Sequence, residues 1–278
     1  MKTQTSIKYY RILILISIVI TWIIFFFFST DELINLTKED GIIESLGALF
    51  LLASSMIFFI TFLRDKNCND LFLFKTNKNY FFLFFAILFF LGFGEELSWG
   101  QRIFNLQTPE AFTKINFQNE TNLHNLKMFN ELGLLNANHL FTYFWVTYCL
   151  IIPLLYNKSS IAAKWLNKIN LPIVPLWLAI FFLLSYSISL VLKFGFDFSQ
   201  SVTEVKEASI SSLFLIFSII CLTKNHNWPQ LQIIVQVVNS LQHVFLCGYF
   251  DTINNFNWIS IHYNFKVQMQ YIIYQFLQ

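Results

Sequence analysis

Long apolar stretches separated by short polar segments dominate the chain. Six of them, residues 12–28, 42–63, 80–97, 140–156, 174–192 and 208–222, approach or reach the length needed to cross a membrane. A hydrocarbon core about 30 Å thick takes about 20 helical residues. The pattern therefore predicts an all-α fold, a polytopic transmembrane helical bundle with six spans that occupies residues 1–224.

The segment at residues 231–250 is apolar but carries three glutamines, an asparagine and a histidine. Three interpretations stay open: a seventh span, a helix on the membrane surface, or a tail without a span. Residues 225–278 are accordingly treated as a separate C-terminal segment.

Composition agrees with a membrane location. Of the 278 residues 56% are hydrophobic and only 12% are charged, and the mean hydropathy is +0.56, whereas a soluble domain has about 25% charged residues. The net charge of +2 is small and its basic residues are dispersed, so no nucleic-acid partner is expected. The four cysteines lie apart, which indicates packing residues and no disulfide frame or zinc site.

Charge distribution predicts the orientation. Lys2, Lys8 and Arg11 precede an apolar run that is too long for a cleaved signal, so an uncleaved anchor is expected. If the six spans alternate, eleven Lys and Arg residues fall on the N-terminal side and six on the other. The positive-inside rule then places the N-terminus in the cytoplasm and a long loop, at about 98–138, outside.

Acidic residues were not used for this assignment, and thirteen of the sixteen fall on or near the outer side. Several lie where an apolar stretch begins or ends. Ionisable groups at such positions cost several kcal/mol unless they have partners, water or a metal. The segregation predicts a shared polar site at the outer face.

The junction after the third apolar stretch is the strongest candidate. Its polar residues are Glu95, Glu96, Ser98, Gln101 and Arg102. If the helix continues, Glu95, Ser98 and Arg102 share one face, whereas Glu96 and Trp99 share another. The alternative is an interfacial anchor, with Trp99 in the aromatic belt and Arg102 neutralising a glutamate.

Two further acidic pairs flank spans on the same side. Asp40 and Glu44 are four residues apart at the start of the second span, and Glu204 and Glu207 precede the sixth. Either pair can instead serve as an ordinary helix cap or dipole partner.

A divalent metal site is suggested by Glu120 and His124, which are spaced i, i+4 and can share one helical face. His139 would add an imidazole at the same membrane level, with the amides of Asn122 and Asn125 as supporting groups. A network of loop and turn hydrogen bonds is the alternative.

Four strings carry a resemblance: EDGIIE at 39–44, GEELSWGQRIF at 94–104, TPE at 108–110 and NFQNETNLHN at 116–125. Over about residues 1–222 the chain resembles a family of uncharacterised bacterial polytopic inner-membrane proteins. The resemblance implies a multi-pass protein of the bacterial inner (cytoplasmic) membrane. It supplies no activity.

The leading expectation is a membrane-embedded hydrolase or transferase, metal-dependent through a divalent ion, acting on a lipid or envelope substrate at the outer face. The expected residues are Glu95, Glu96, Ser98 and Arg102 as catalytic groups, Glu44, Glu120, His124 and His139 as metal ligands, and Asp40, Gln101, Asn122, Asn125, Glu204 and Glu207 as supporting polar groups.

Two alternatives use the same acids: a proton- or cation-coupled transporter, and an envelope assembly or interaction protein. Transporters usually bind their substrates near the bilayer midplane, often between repeated halves. Here the acids crowd one edge and no repeat is visible. Membrane lipids are the expected surroundings in every case, and the sequence leaves the substrate, the metal and the oligomeric state open.

Overall fold

The fold was examined in a computed structural model. It describes residues 15, 18, 21–23, 25–38, 41–65, 78–101, 107–115, 127, 137–195 and 199–226. All but Leu15 and His226 belong to one compact unit, Ile18–Asn225, which is the unit described below. Regular secondary structure within the described residues is entirely helical, so the predicted all-α class is confirmed.

Nine helices have defined bounds within the described residues. They are α1 (Thr30–Thr37), α2 (Ile42–Arg64), α3 (Tyr80–Glu96), α4 (Glu110–Ile115), α5 (Ala137–Val146), α6 (Ile152–Lys158), α7 (Ser160–Lys168), α8 (Leu176–Gly195) and α9 (Ser199–His226). A short 3₁₀ turn, Ser98–Gly100, follows α3, and a π turn, Thr147–Ile151, joins α5 to α6. The described residues between 15 and 27 are helical as well.

Four stretches of the described chain are long and apolar enough to cross a membrane: Thr30–Arg64, His139–Lys158, Leu176–Phe194 and Gln200–Lys224. The first contains α2, and the second runs from α5 through the π turn into α6. Helix α3 has 17 residues, or about 26 Å at 1.5 Å per residue, which is just short of the hydrocarbon thickness. Six spans are therefore not confirmed, and residues 231–250 lie outside the described residues.

Helix α9 forms the centre of the unit. In its most apolar 18-residue stretch 78% of residues are buried, against 22% for the stretch at His139–Lys158. A helix that is covered on all sides must present packing surfaces all round. This explains why α9 has no single polar face, whereas a helix at the edge of a bundle usually has one.

Aromatic rings fill the space between α2, α3 and α9. Phe58 on α2 is fully buried, and its ring centroid lies 5.7 Å from Phe89 of α3 and 5.8 Å from Phe217 of α9. Phe89 in turn lies 4.8 Å from Phe214. We call Phe58, Phe89, Phe214 and Phe217 the aromatic layer. In a bilayer, where lipid tails are as apolar as the core, such close packing is a principal source of helix association.

Buried hydroxyl groups connect helices that are distant in sequence. Trp22 donates its indole N–H to Ser185 Oγ at 3.3 Å, and Ser185 donates to Ser209 Oγ at 2.8 Å. Thr37 Oγ1 lies 2.7 Å from Ser201 Oγ. Hydrogen bonds of this kind stabilise helix pairs in membranes by about 0.6 kcal/mol each and fix their register.

Small residues bring α2 and α9 into close contact near one end. A Cβ on Gly47 would lie 3.3 Å from the Cα of Ala208, so the two backbones approach closely there. Gly47 follows Glu44 by one turn of α2, and Ala208 follows Glu204 by one turn of α9. This contact therefore determines how the two glutamates are placed relative to each other.

The π turn has a local cause. Pro153 has no N–H, and in a regular α-helix its ring would clash with the carbonyl of Cys149. The helix widens over Thr147–Ile151 just before the proline, which is a common way of accommodating such a break. Cys149 and Cys221 are buried free thiols, as predicted for packing residues.

We predict that Phe58→Ala destabilises the protein by about 3 kcal/mol, because it removes the ring around which the aromatic layer is packed. Phe59→Ala is the matched control: Phe59 is the next residue on α2 and is 46% exposed, so its loss should change stability by less than about 0.5 kcal/mol. Thermal unfolding of purified protein in detergent measures both. Equal losses would contradict the placement of Phe58 at the centre of the bundle.

Candidate functional site

The chain leaves α3 through an unusual turn. Ser98, Trp99 and Gly100 have φ angles of 45°, 55° and 78°, so three successive residues lie in the left-handed region. For residues other than glycine this costs about 1 kcal/mol each. Gly100 donates to the carbonyl of Leu97 and Gln101 to that of Ser98. The turn ends the helical path of the chain directly after the two glutamates.

Trp99 closes this turn onto the helix. Its Nε1–H donates to Glu95 Oε1 at 2.8 Å, and its ring lies over the backbone of Gly94. A Cβ on Gly94 would stand 2.7 Å from ring atom Cζ3, closer than any ordinary contact. Gly94 is therefore required for the ring to lie against α3, and Glu95 is held by the tryptophan.

This geometry corrects the face assignment made from sequence. The prediction that Glu95, Ser98 and Arg102 share a helical face assumed that the helix continued, whereas α3 ends at Glu96. Ser98 is only 1% exposed and is enclosed by protein. Gln101 donates a side-chain hydrogen bond to Thr108. Arg102 lies outside the described residues.

Glu96 meets carboxylates from other helices. Its side chain lies within electrostatic range of four others, which are, in order of strength, Glu207, Glu204, Glu44 and Glu95. They come from the first turns of α9, the first turn of α2 and the end of α3. We call these five glutamates the carboxylate cluster. Four of the predicted supporting or catalytic acids and one predicted metal ligand thus lie together.

Burial of the cluster is intermediate. Each of its five side chains is partly exposed by solvent-accessible area, and Glu207 is 25% exposed. Glu96 lies deep among protein atoms, although part of its surface remains accessible. The cluster is therefore packed among protein atoms yet open to solvent or to a small ligand at its edge.

Two lysines that the sequence analysis did not select belong to the same region. Lys206 Nζ lies 3.3 Å from Glu207 Oε1, and Lys193, near the end of α8, is within electrostatic range of both Lys206 and Glu207. The signal was present in the sequence, because these are the basic residues nearest along the chain to Glu204 and Glu207.

The predicted metal site is largely untested. His139 is exposed on α5 and stacks on Tyr143, with ring centroids 6.1 Å apart. In the described part of the chain no three His, Cys, Asp or Glu side chains are arranged to hold one metal ion. Several of the predicted groups lie outside the described residues, namely Asp40, Arg102, Glu120, Asn122, His124 and Asn125.

Comparison with known proteins does not assign the chain to a family. Neither protein-family profiles, nor well-characterised proteins, nor solved structures match the chain. The resemblance carried by residues 39–44, 94–104, 108–110 and 116–125 therefore stays an expectation.

We predict that Gly94→Ala destabilises the protein by about 1–3 kcal/mol, since the new methyl group collides with the Trp99 ring. In Gly94→Ala/Trp99→Ala the clash is gone, so the two substitutions should be strongly non-additive. Chemical or thermal unfolding of the four proteins measures the coupling. Simple additivity would mean that the ring does not lie on Gly94.

We predict that Glu96→Gln stabilises the protein by about 1 kcal/mol when the buffer contains a metal chelator. The substitution removes repulsion from Glu207, Glu204 and Glu44 without changing the shape of the side chain. Glu110→Gln, at an exposed position of α4, should leave stability unchanged. Unfolding temperatures in detergent at neutral pH compare the two. A loss of stability in Glu96→Gln would indicate that the carboxylates attract a permanent partner and do not repel one another.

Proposed function

We propose that the chain is a multi-pass protein of the bacterial inner membrane, with six spans and a cytoplasmic N-terminus, whose carboxylate cluster is an acid–base site facing outward. The four apolar stretches of the described chain support membrane insertion. The resemblance noted above supports the bacterial membrane, and the distribution of Lys and Arg supports the orientation.

The proposed activity is hydrolysis of, or group transfer from, a lipid or envelope substrate. The observation that carries it is the convergence of carboxylates from α2, α3 and α9 on Glu96. Carboxylates that repel one another are tolerated in one place when protons or cations offset their charge. A group that exchanges a proton among several neighbours is suited to general acid–base catalysis.

In this proposal Glu96 is the general base that takes a proton from the attacking water or hydroxyl group. Glu207 and Glu204 share the proton, and Lys206 limits the negative charge around Glu207. Glu44 would contribute to binding a divalent cation, for which carboxylate oxygens are suitable ligands. Such an ion would polarise the substrate and lower the pKa of bound water.

Transport by the same cluster is less well supported. Along α9 the cluster residue Glu207 is followed by Phe214 and Phe217 of the aromatic layer, and all four rings of that layer are buried. The layer lies between the two ends of the bundle, and its rings are about 5–6 Å apart. A closed layer is compatible with catalysis at one face, whereas a carrier has to open it.

We predict that Glu96→Gln lowers the rate of substrate turnover by at least about 100-fold, because the amide cannot accept the proton. The assay incubates the purified protein, in nanodiscs made from total bacterial lipid, with and without Mg²⁺, Mn²⁺ or Zn²⁺, and follows lipid products by mass spectrometry. Glu110→Gln is the control with the same chemical change at an exposed site. A folded Glu96→Gln protein that retained every activity of the parent would exclude the assignment.

A parallel measurement distinguishes the carrier. Proteoliposomes with a pH-sensitive dye inside report proton flux. The carrier would be favoured over the hydrolase by two results together: the parent protein carries a proton flux that Glu96→Gln abolishes, and the parent protein leaves the lipids chemically unchanged.

A further inference from the structure

A cavity of about 660 Å³ lies at the end of the bundle opposite to the carboxylate cluster. Phe82, Val174 and Ile220 form an apolar part of its wall, here called the floor, and the exposed Asn157, Asn167 and Lys224 form its rim. Two buried polar residues, Asp65 and Asn79, line the cavity as well. This volume is within the usual range for a site that binds a small molecule or part of a lipid. The cavity is separate from the proposed acid–base site, because the aromatic layer lies between them.

The polar groups that line the cavity are mostly held in place by protein partners. Tyr156 donates to Asn167 Oδ1 at 3.1 Å, and Asp65 Oδ2 accepts the backbone N–H of Asn79 at 3.0 Å. Asp65 thereby fixes the entry of the chain into α3. A rim whose side chains are fixed in this way provides a preformed opening.

Helix α7 lies beside this opening and carries an exposed apolar face. Ile161 and Trp165, which are one turn apart, are 69% and 58% exposed. The helix follows directly on α6, the end of one apolar stretch, and precedes α8, the start of another, so both of its ends are fixed at the level of the membrane surface. A short helix with exposed Trp and Ile beside lysines is typical of one that lies in the membrane interface.

One lysine lines the same opening and two others lie on the neighbouring helix α7. Lys224 is exposed and lines the cavity. Lys164 is exposed as well and precedes the rim residue Asn167 by three positions, which places both on one face of α7. Lys168 lies with its Nζ 5.2 Å from the centre of the Trp165 ring. Positive charge at the membrane surface, next to an apolar cavity, suits a ligand with an anionic head and an apolar body.

We propose that this end of the bundle is a binding site for one anionic phospholipid of the adjacent leaflet. Lys164 and Lys224 bind the phosphate, the amides of the rim surround the polar head, and part of an acyl chain enters the apolar floor of the cavity. Trp165 and Ile161 insert into the interface next to it. If the proposed orientation is right, the leaflet is the cytoplasmic one.

The decisive experiment is native mass spectrometry of the full chain in detergent, with phosphatidylglycerol and phosphatidylcholine titrated separately. Phosphatidylglycerol should bind more tightly. Lys164→Gln and Lys224→Gln should each weaken its binding about fivefold and leave phosphatidylcholine unchanged, the effect expected for removing one lysine at an anionic surface. Lys38→Gln, an exposed lysine after α1, is the control and should bind like the parent.

A second variant tests the cavity itself. Ile220→Trp fills the floor of the cavity and should weaken the binding of phosphatidylglycerol. Thermal unfolding verifies that the variant is folded. Three outcomes would overturn the proposal: equal binding of the two lipids, an equal loss in Lys38→Gln, or displacement of phosphatidylglycerol by sn-glycerol 1-phosphate at the same concentration. The last result would indicate a site for a free phosphate.

Discussion

The close approach of α9 to α2 is the constraint on which the other features depend. Gly47 and Ala208 allow the two backbones to come together, and a larger side chain at either position would force them apart. Below this contact Phe58 meets Phe217, and the aromatic layer continues to α3 through Phe89. Because hydrophobic transfer gives little driving force between helices in lipid, this packing has to supply most of the association energy.

The same contact determines the electrostatics at the end of the bundle. Glu44 precedes Gly47 by one turn and Glu204 precedes Ala208 by one turn, so two helices that pack closely carry their acids to the same place. The C-terminal end of α3 adds Glu95 and Glu96, and Trp99 in the turn that follows keeps Glu95 in position. Tight packing and charge repulsion therefore oppose each other at this end, a combination that is typical of sites retained for function at a cost in stability.

The two ends of the unit differ in their chemistry. One end gathers five glutamates with Lys193 and Lys206. The other has a cavity lined by several amides and Lys224, and leaves Trp165 exposed. The aromatic layer separates them, so a ligand at one end is not in contact with a ligand at the other. Any communication between the ends would have to pass through α9, which carries Glu207 near its start and Lys224 near its end.

Hydropathy alone determined the helical class, because a chain this apolar must satisfy its backbone hydrogen bonds within helices. It also located α2, α8 and the apolar part of α9 to within a few residues, and the placement of acids at the ends of apolar stretches indicated Glu44, Glu96, Glu204 and Glu207 as neighbours. It also located α3 to within one residue. It did not reveal the left-handed turn that follows, since the conformation of Ser98 and Trp99 depends on a ring that packs against Gly94.

Local sequence also gave no sign of the cavity at the opposite end. Its walls come from residues as far apart as Asn79, Asn170 and Lys224, and such a space exists only after the helices have packed. Spacing along the chain determines which residues share a helix face, whereas side-chain volume and backbone contact between helices decide which faces meet. For this protein the sequence therefore determined the helices and their charged ends, and the tertiary structure decided which of those ends enclose a site.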